Sequence, residues 1–362
     1  MSGRRVNVGV VGCGAIASSI HIPVWRKISN TRLIGVYDIA IEKAKFIASK
    51  YRIAKVYGSL EDLIEDDEID LVDVCTPIHT HISIIEKALK AGKHVITEKP
   101  LAPSSNEALH VMELAKSKKL VLAVSQNHIY SNAVRGLKNR IIRGDLGELL
   151  FLNVTYPLSI YKPKHWTANP ATGGLLFELG IHPSYIAIYL FGKPDSVHAF
   201  GNIPSPEQKV GYVTAVLRKG SKICTIVLPP VETQPTIRAY GSKAFAITNL
   251  FADTTIFNEK RIALEYEYAP MRSLTQTGIS SAKDWLSYSA KIAMGYVKRG
   301  TRYFIQGAYA LNQFKMFNEV VAEILTNDEK LRESNRLHLE VALESIRLLE
   351  NIRKNLNVGA HE

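Results

Sequence analysis

The chain has 362 residues, 46% hydrophobic and 22% charged, which is the make-up of a soluble globular protein long enough for two domains. There is no run of 18 apolar residues to span a membrane, and MSGRRVNVGVVGCG lacks a signal peptide's longer apolar region and cleavage site. Three scattered cysteines (Cys13, Cys75, Cys224) with no CxxC argue against zinc and place the protein in a reducing compartment, the cytoplasm, while a net charge of +11 suits either acidic partners or simple surface solubility.

VNVGVVG (6–12) reads as a short apolar strand running into glycine, followed by a helix to about Ser29. RLIGVYD (32–38) is a second strand and IEKAKFIASKY (41–51) a helix. LVDVCT (71–76) and HVITE (94–98) are strands separated by the helix HISIIEKALKAG. NEALHVMELAKSK and LVLAVS continue the alternation to residue 125. Strands alternating with helices at this spacing predict a parallel sheet covered on both faces. After one more helix (133–143, closed by Gly144) the pattern changes. ELLFLNVTY, VHAFGN, YVTAVLR, KICTIVL, TIRAY and AFAITNL have β character, which predicts a mostly antiparallel sheet in a second domain. A long amphipathic helix, about 336–355, ends the pattern.

Gly12-Cys13-Gly14-Ala15-Ile16-Ala17 fits GxGxx(G/A) at the first strand-to-helix junction. Glycines there let the backbone approach a pyrophosphate, whose charge meets the helix N-terminus. Asp38 ends the second strand, where a carboxylate accepts from ribose hydroxyls. No arginine follows it to hold a 2′-phosphate, so the pattern favours NAD over NADP. Capping of helix 41–51 is the alternative role for Asp38. Thr76-Pro77 and Glu98-Lys99-Pro100 sit at two further strand ends, beside the same crevice. A lysine presented there by a proline turn can donate to a substrate hydroxyl, although a surface lysine in a turn has the same sequence signature.

These residues resemble the glucose-fructose oxidoreductase / inositol 2-dehydrogenase / MocA family. The matching stretches are GCGAIASSIHIPVW, VDVCTPIHTHISIIEKALKAGKHVITEKPLA, GDLGELLFLNV and GGLLFELGIHPSYI. The resemblance implies an α/β fold: a Rossmann domain (1–125), then an α+β domain with an open sheet (126–362), assembled as a homodimer or homotetramer. It implies NAD(P)-dependent oxidation of a sugar or cyclitol hydroxyl. Lys99 would touch substrate and nicotinamide ribose, and Thr76, Pro77, His81 and Glu98 would line the cofactor site. It also brings two rivals, a glycoside-cleaving enzyme that retains NAD and a sugar-responsive, dinucleotide-binding regulator without catalysis.

Relatives carry an aspartate four residues before a histidine. Here Glu178 and His182 keep the spacing, which on one helix puts both side chains on one face. The histidine is the natural acceptor of a hydroxyl proton as hydride leaves the same carbon, and the carboxylate would orient its ring or bind a neighbouring hydroxyl. The arginine that relatives often place near Ile129-Tyr130 is absent, which implies a different substrate. Near the expected pocket lie Tyr156, Tyr161, Lys162, Lys164, His165 and Trp166, of which Tyr156, Lys164 and Trp166 would contact the substrate. Aromatic faces with long donors suit a sugar, the lysines also suit a phosphate or uronate, and an ordinary polar loop has the same composition. His79-x-His81 has a metal-compatible spacing but no third ligand nearby, and no metal is expected.

Residues 271–303 hold six basic residues (Arg272, Lys283, Lys291, Lys298, Arg299, Arg302) against Asp284 alone. As a helix they place Trp285, Tyr288, Ile292 and Tyr296 in one stripe and Lys283, Ser287, Lys291 and Lys298 on another side. That stripe either packs within the protein or rests on an anionic membrane surface. Nucleic acid is not expected, since no binding motif accompanies the charge.

Overall fold

The computed structural model describes residues 4–158, 174–203, 211–230, 234–250, 253–258 and 300–358. Six parallel strands form the first sheet: β1 (Val6–Val11), β2 (Thr31–Tyr37), β3 (Lys55–Val56), β4 (Leu71–Val74), β5 (His94–Thr97) and β6 (Leu122–Val124). Their order is β3-β2-β1-β4-β5-β6. β1 and β4 are buried almost throughout, as parallel strands covered on both faces must be. The connecting helices are α1 (Ile22–Trp25, entered by a π-helical turn over Ala17–His21), α2 (Ile41–Tyr51), α3 (Leu60–Glu65), α4 (Ile78–Lys90) and α5 (Ser105–Lys118). In α4, Ile78, His81, Ile85 and Leu89 recur every three or four residues and face the sheet. Ser59 starts α3 with a capping box to Asp62, and Ser104 caps α5 by accepting from the Glu107 N–H. The chain order reverses between β1 and β4, which opens a crevice at the carboxyl ends of those strands.

α6 (Asn132–Arg143) ends at Gly144, whose φ of 74° is left-handed, and leads into β7 (Leu149–Thr155). Two helices follow, α7 (Gly174–Leu179) and α8 (Ile181–Phe191). The strands β8 (Ser196–Asn202), β9 (Tyr212–Lys219), β10 (Lys222–Leu228), β11 (Thr236–Gly241), β12 (Phe245–Asn249) and β13 (Thr254–Asn258) complete a second sheet, ordered β13-β12-β11-β7-β10-β9-β8. Every pairing is antiparallel except β7 with β10. Along β9 and β10, Val213, Ala215, Leu217, Cys224, Ile226 and Leu228 are buried while their neighbours are more exposed, the period-2 signature of a sheet with one covered face. α8 packs on that face and buries ten of its eleven residues. Ile186, Leu190 and Phe191 each contribute roughly 1.5–3 kcal/mol by burial, which fixes the helix and whatever it carries.

Two long helices close the chain order, α9 (Gly300–Thr326) and α10 (Glu329–Val358). α10 is longer than the helix expected at 336–355. It reaches both sheets: Asn335 donates to the Leu122 carbonyl of β6, Glu350 accepts from Ser105 at the start of α5, and the helix packs on β8 of the second sheet. Tyr130 meets His338, and Lys193 beyond α8 pairs with Glu344. No helix among the described residues is long and apolar enough to cross a membrane. The basic stretch 271–299 lies outside the described residues, and its last part, from Gly300, enters α9.

Candidate active site

Gly12 follows β1 with φ +97°, and a Cβ there would lie 2.6 Å from the Cys75 carbonyl. The turn after β1 therefore packs against the turn after β4, and only glycine fits. Gly14 faces open space, with nothing within 4 Å of a Cβ position. Ala15 and Ile16 open the first helical turn. Asp38 is already engaged: one carboxylate oxygen accepts the Cys13 N–H at 2.8 Å and the other the Ala40 N–H at 2.8 Å. It staples the glycine turn to the end of β2 and is not the cap of α2, which is Ala40. Each oxygen keeps a second lone pair on which a ribose hydroxyl fits. The open Gly14 approach, the stapled turn and the carboxylate together suit a dinucleotide, with Gly12, Gly14, Ala15, Ile16 and Asp38 holding it.

Thr76, Pro77 and His81 form the second turn. Both ring nitrogens of His81 face carbonyls, Thr76 O at 2.8 Å and Pro100 O at 2.9 Å, so this buried residue ties the turn after β4 to the turn after β5. Both ring nitrogens are thus engaged within the protein. The Lys99–Pro100 bond is cis.

Glu98 likewise turns inward. Its Oε1 lies 2.9 Å from His21 Nε2, while His21 Nδ1 lies 2.9 Å from Asp73 and the Trp25 indole donates to Asp73 at 2.7 Å. The carboxylates and imidazole are buried: His21 and Asp73 are 0% exposed and Glu98 6%. Burial disfavours the imidazolium, but the Asp73 charge and hydrogen bond outweigh it and raise the His21 pKa well above its ordinary value. Burial would push the Glu98 carboxyl up, and the hydrogen bond and charge of His21, with Lys99, bring it below the usual range. Cys75 joins at 3.2 Å from His21 Nδ1. His21, Asp73 and Cys75 are metal-ligating types with donor atoms within 4.8 Å of one another, yet a protonated imidazole between two carboxylates already accounts for their geometry. Glu98 is thus part of a buried charge network beneath Lys99.

Lys99 points the other way. Its Nζ lies 3.2 Å from the Glu178 carboxylate and donates to the Glu178 carbonyl at 3.0 Å. Glu178 and His182 do not share one unbroken helix. α7 ends at Leu179 and α8 begins at Ile181, joined through Gly180, where a Cβ would lie 2.5 Å from Leu176 O. The carboxylate holds the lysine; the His182 ring is oriented instead by Tyr185, whose hydroxyl is 3.0 Å from Nδ1, and by Tyr156, stacked at 5.0 Å between ring centroids. Burial, then the Lys99 charge, lowers the His182 pKa well below its ordinary value, so the ring is neutral at pH 7.

His128, which sequence reasoning missed, packs edge-on to His182 at 5.3 Å and near Tyr156, Tyr185 and Tyr309. Neither of its nitrogens has a partner among the described residues, and burial and Lys99 lower its pKa to about 4. Asn127 Nδ2, Gln126 Oε1 and Ser184 Oγ are likewise buried without partners. The signal for this set was the polar run Ser125–His128 straight after the apolar strand β6, an expensive thing to bury without a use. Tyr156 is buried and stacked on His182. Lys164 and Trp166, with Tyr161, Lys162 and His165, lie outside the described residues.

A glycine turn at the carboxyl end of a parallel sheet, with one lysine, two neutral histidines and several tyrosines gathered nearby, is the make-up of an α/β dinucleotide-binding protein. The chain belongs to the GFO/IDH/MocA family: residues 6–126 match its oxidoreductase model, described as an NAD-binding Rossmann fold, and residues 134–246 match its C-terminal domain. It is 36% identical over 200 residues to an uncharacterised oxidoreductase of Schizosaccharomyces pombe, covering 54% of each chain. It is 28% identical to the myo-inositol 2-dehydrogenase of Thermotoga maritima, covering 59% of this chain and 64% of that one. The chain thus spans little more than half the length of these curated relatives. Among solved structures, GenD2 from gentamicin A biosynthesis in complex with NAD superimposes with a TM-score of 0.75 at 20% identity, covering 98% of this chain and 95% of that one. At that identity the likeness is one of fold.

Proposed function

We propose that the protein is an NAD-dependent oxidoreductase moving a hydride between nicotinamide and a hydroxyl carbon of a sugar, cyclitol or sugar derivative. The observation that carries this reading is that Lys99, at the carboxyl end of β5, lies near enough to His182 for its charge to lower the histidine's pKa, Lys99 steadied by Glu178 and His182 by Tyr185. NAD, when bound, supplies the hydride acceptor. Lys99 donates to the reacting hydroxyl, and His182, neutral at pH 7, takes its proton. His128 and Tyr156 present hydrogen-bonding edges to the neighbouring hydroxyls. Relatives named as a D-glucoside 3-dehydrogenase of Escherichia coli and the Thermotoga inositol dehydrogenase support this substrate class.

The domain division at 125/126, a homodimer or homotetramer, a cytoplasmic location and, through 271–303, a weak contact with an anionic membrane complete the proposal. The test is NADH formation across neutral sugars, cyclitols, uronates and nucleotide sugars. Lys99→Ala and His182→Ala are each expected to lower kcat by about 10² or more while NAD still binds. Normal turnover by either variant refutes its assignment. Release of an aglycone without net NADH would point to glycoside cleavage, and NAD binding without any turnover to a regulator.

A further inference from the structure

A general base needs its lone pair on the nitrogen that faces the substrate, and nothing in Lys99 or Glu178 sets which nitrogen of His182 carries the ring proton. Tyr185 does. It lies three residues along α8, on the same face as His182, and is 0% exposed. Burial keeps its phenol protonated, so it brings one proton and two lone pairs. Its oxygen meets three groups: His182 Nδ1 at 3.0 Å, Asn127 Oδ1 at 3.4 Å and the backbone N–H of His128. The N–H only donates and Asn127 Oδ1 only accepts. If the phenol gave its proton to His182, Asn127 Oδ1 would face a bare oxygen in a buried site, a loss that typically costs about 1–3 kcal/mol. If it gives that proton to Asn127, His182 must donate from Nδ1, and all three contacts are satisfied. Nε2 makes no hydrogen bond to any described residue.

We infer that Tyr185 and Asn127 act together as positioning residues that hold His182 in its Nδ1–H tautomer, leaving the Nε2 lone pair for the substrate hydroxyl. The inference rests on the reading of His182 as the proton acceptor and adds the device that makes it one. The reverse arrangement, with the Asn127 amide turned so that its nitrogen donates to Tyr185, would put the ring proton on Nε2 and disable the base.

The two arrangements are separated without knowledge of the substrate. The full chain, labelled with ¹⁵N in its histidine rings, is examined by long-range ¹H–¹⁵N correlation at pH 7, with His182→Gln identifying the resonance. The expected result is a proton-bearing Nδ1 and a lone-pair Nε2. Tyr185→Phe removes the acceptor, and Asn127→Leu releases the phenol proton toward Nδ1; in both, the ring proton moves to Nε2. With a turned-over substrate, Tyr185→Phe lowers kcat by about tenfold or more with KM little changed. A protonated Nε2 in the wild type, or a tautomer that neither variant shifts, overturns the inference. Full turnover by His182→Gln would instead overturn the role of His182 itself, whatever its tautomer, so the two failures are distinguishable.

Discussion

Replacing His21 with leucine removes the cation shared by Asp73 and Glu98, together with its contact to Cys75, and leaves an apolar side chain against Phe317. Asp73 keeps the Trp25 indole at 2.7 Å and Glu98 keeps the Lys99 N–H at 3.2 Å, but neither keeps a charge partner of comparable closeness. Breaking a buried pair by deleting one partner costs about 3–5 kcal/mol, and that is the loss expected at pH 7. The pH dependence follows from the two displaced titrations. His21, raised above 6.5, contributes stability that is complete below 6.5 and lost as pH climbs through its folded value. Glu98, held below 4.5, contributes above 4.5 and loses it as pH falls through its folded value. Between those limits the wild-type network is fully charged. In the variant, burial acts on Glu98 against only the Lys99 charge and the Ser125 hydrogen bond and lifts its pKa, so protonation at pH 5 relieves part of the penalty. Each tenfold change in proton affinity is worth about 1.4 kcal/mol, and a relief of roughly 1–2 kcal/mol is expected between pH 7 and 5. Urea unfolding followed by tryptophan emission reads this, since Trp25 stacks on Phe317 with centroids 4.0 Å apart. A penalty below about 1 kcal/mol at pH 7, or one identical at both pH values, would refute the charge assignment.

Two further outcomes follow from the site. NAD is expected to bind at least about tenfold tighter than NADP, roughly 1.4 kcal/mol, because Asp38 repels a 2′-phosphate; Asp38→Ala narrows the gap and, by freeing the Cys13 N–H, weakens NAD as well, and equal affinities in a fluorescence titration contradict this. The acid limb of kcat/KM is expected below pH 6.5, because burial and then Lys99 hold the His182 base unprotonated to lower pH; Lys99→Met moves the limb up, and a wild-type limb at or above 6.5 contradicts the assignment.

Local patterns carried the architecture. The glycine turn, the apolar parallel strands and the period-2 runs of the second sheet are set within a few residues, and reading them needs no knowledge of the rest. Short elements without such a pattern, β3 and β13, escaped notice. The site was half legible. Lys99 and His182 stand in motifs that single them out, whereas the groups around them come from elsewhere in the chain. His21 meets Asp73 and Glu98 across 52 and 77 residues, and Tyr185 meets Asn127 across 58. The spacing of Glu178 and His182 suggests one helical face and a carboxylate that serves the imidazole or a neighbouring substrate hydroxyl. Gly180 interrupts the helix there, and the carboxylate serves the lysine.

The contacts of α9 bear on how the chain is made. Phe317 covers Trp25 and His21, and Gln313 exchanges hydrogen bonds with Ser125 at the end of β6. Ser125 and Gln313 are 188 residues apart, an interval that takes roughly 10–40 s to translate at ordinary rates. For that time the first sheet leaves the ribosome with the ring of Trp25 uncovered and one side of its charge network open to water. During synthesis, therefore, the first sheet emerges well ahead of the helix that completes its cover.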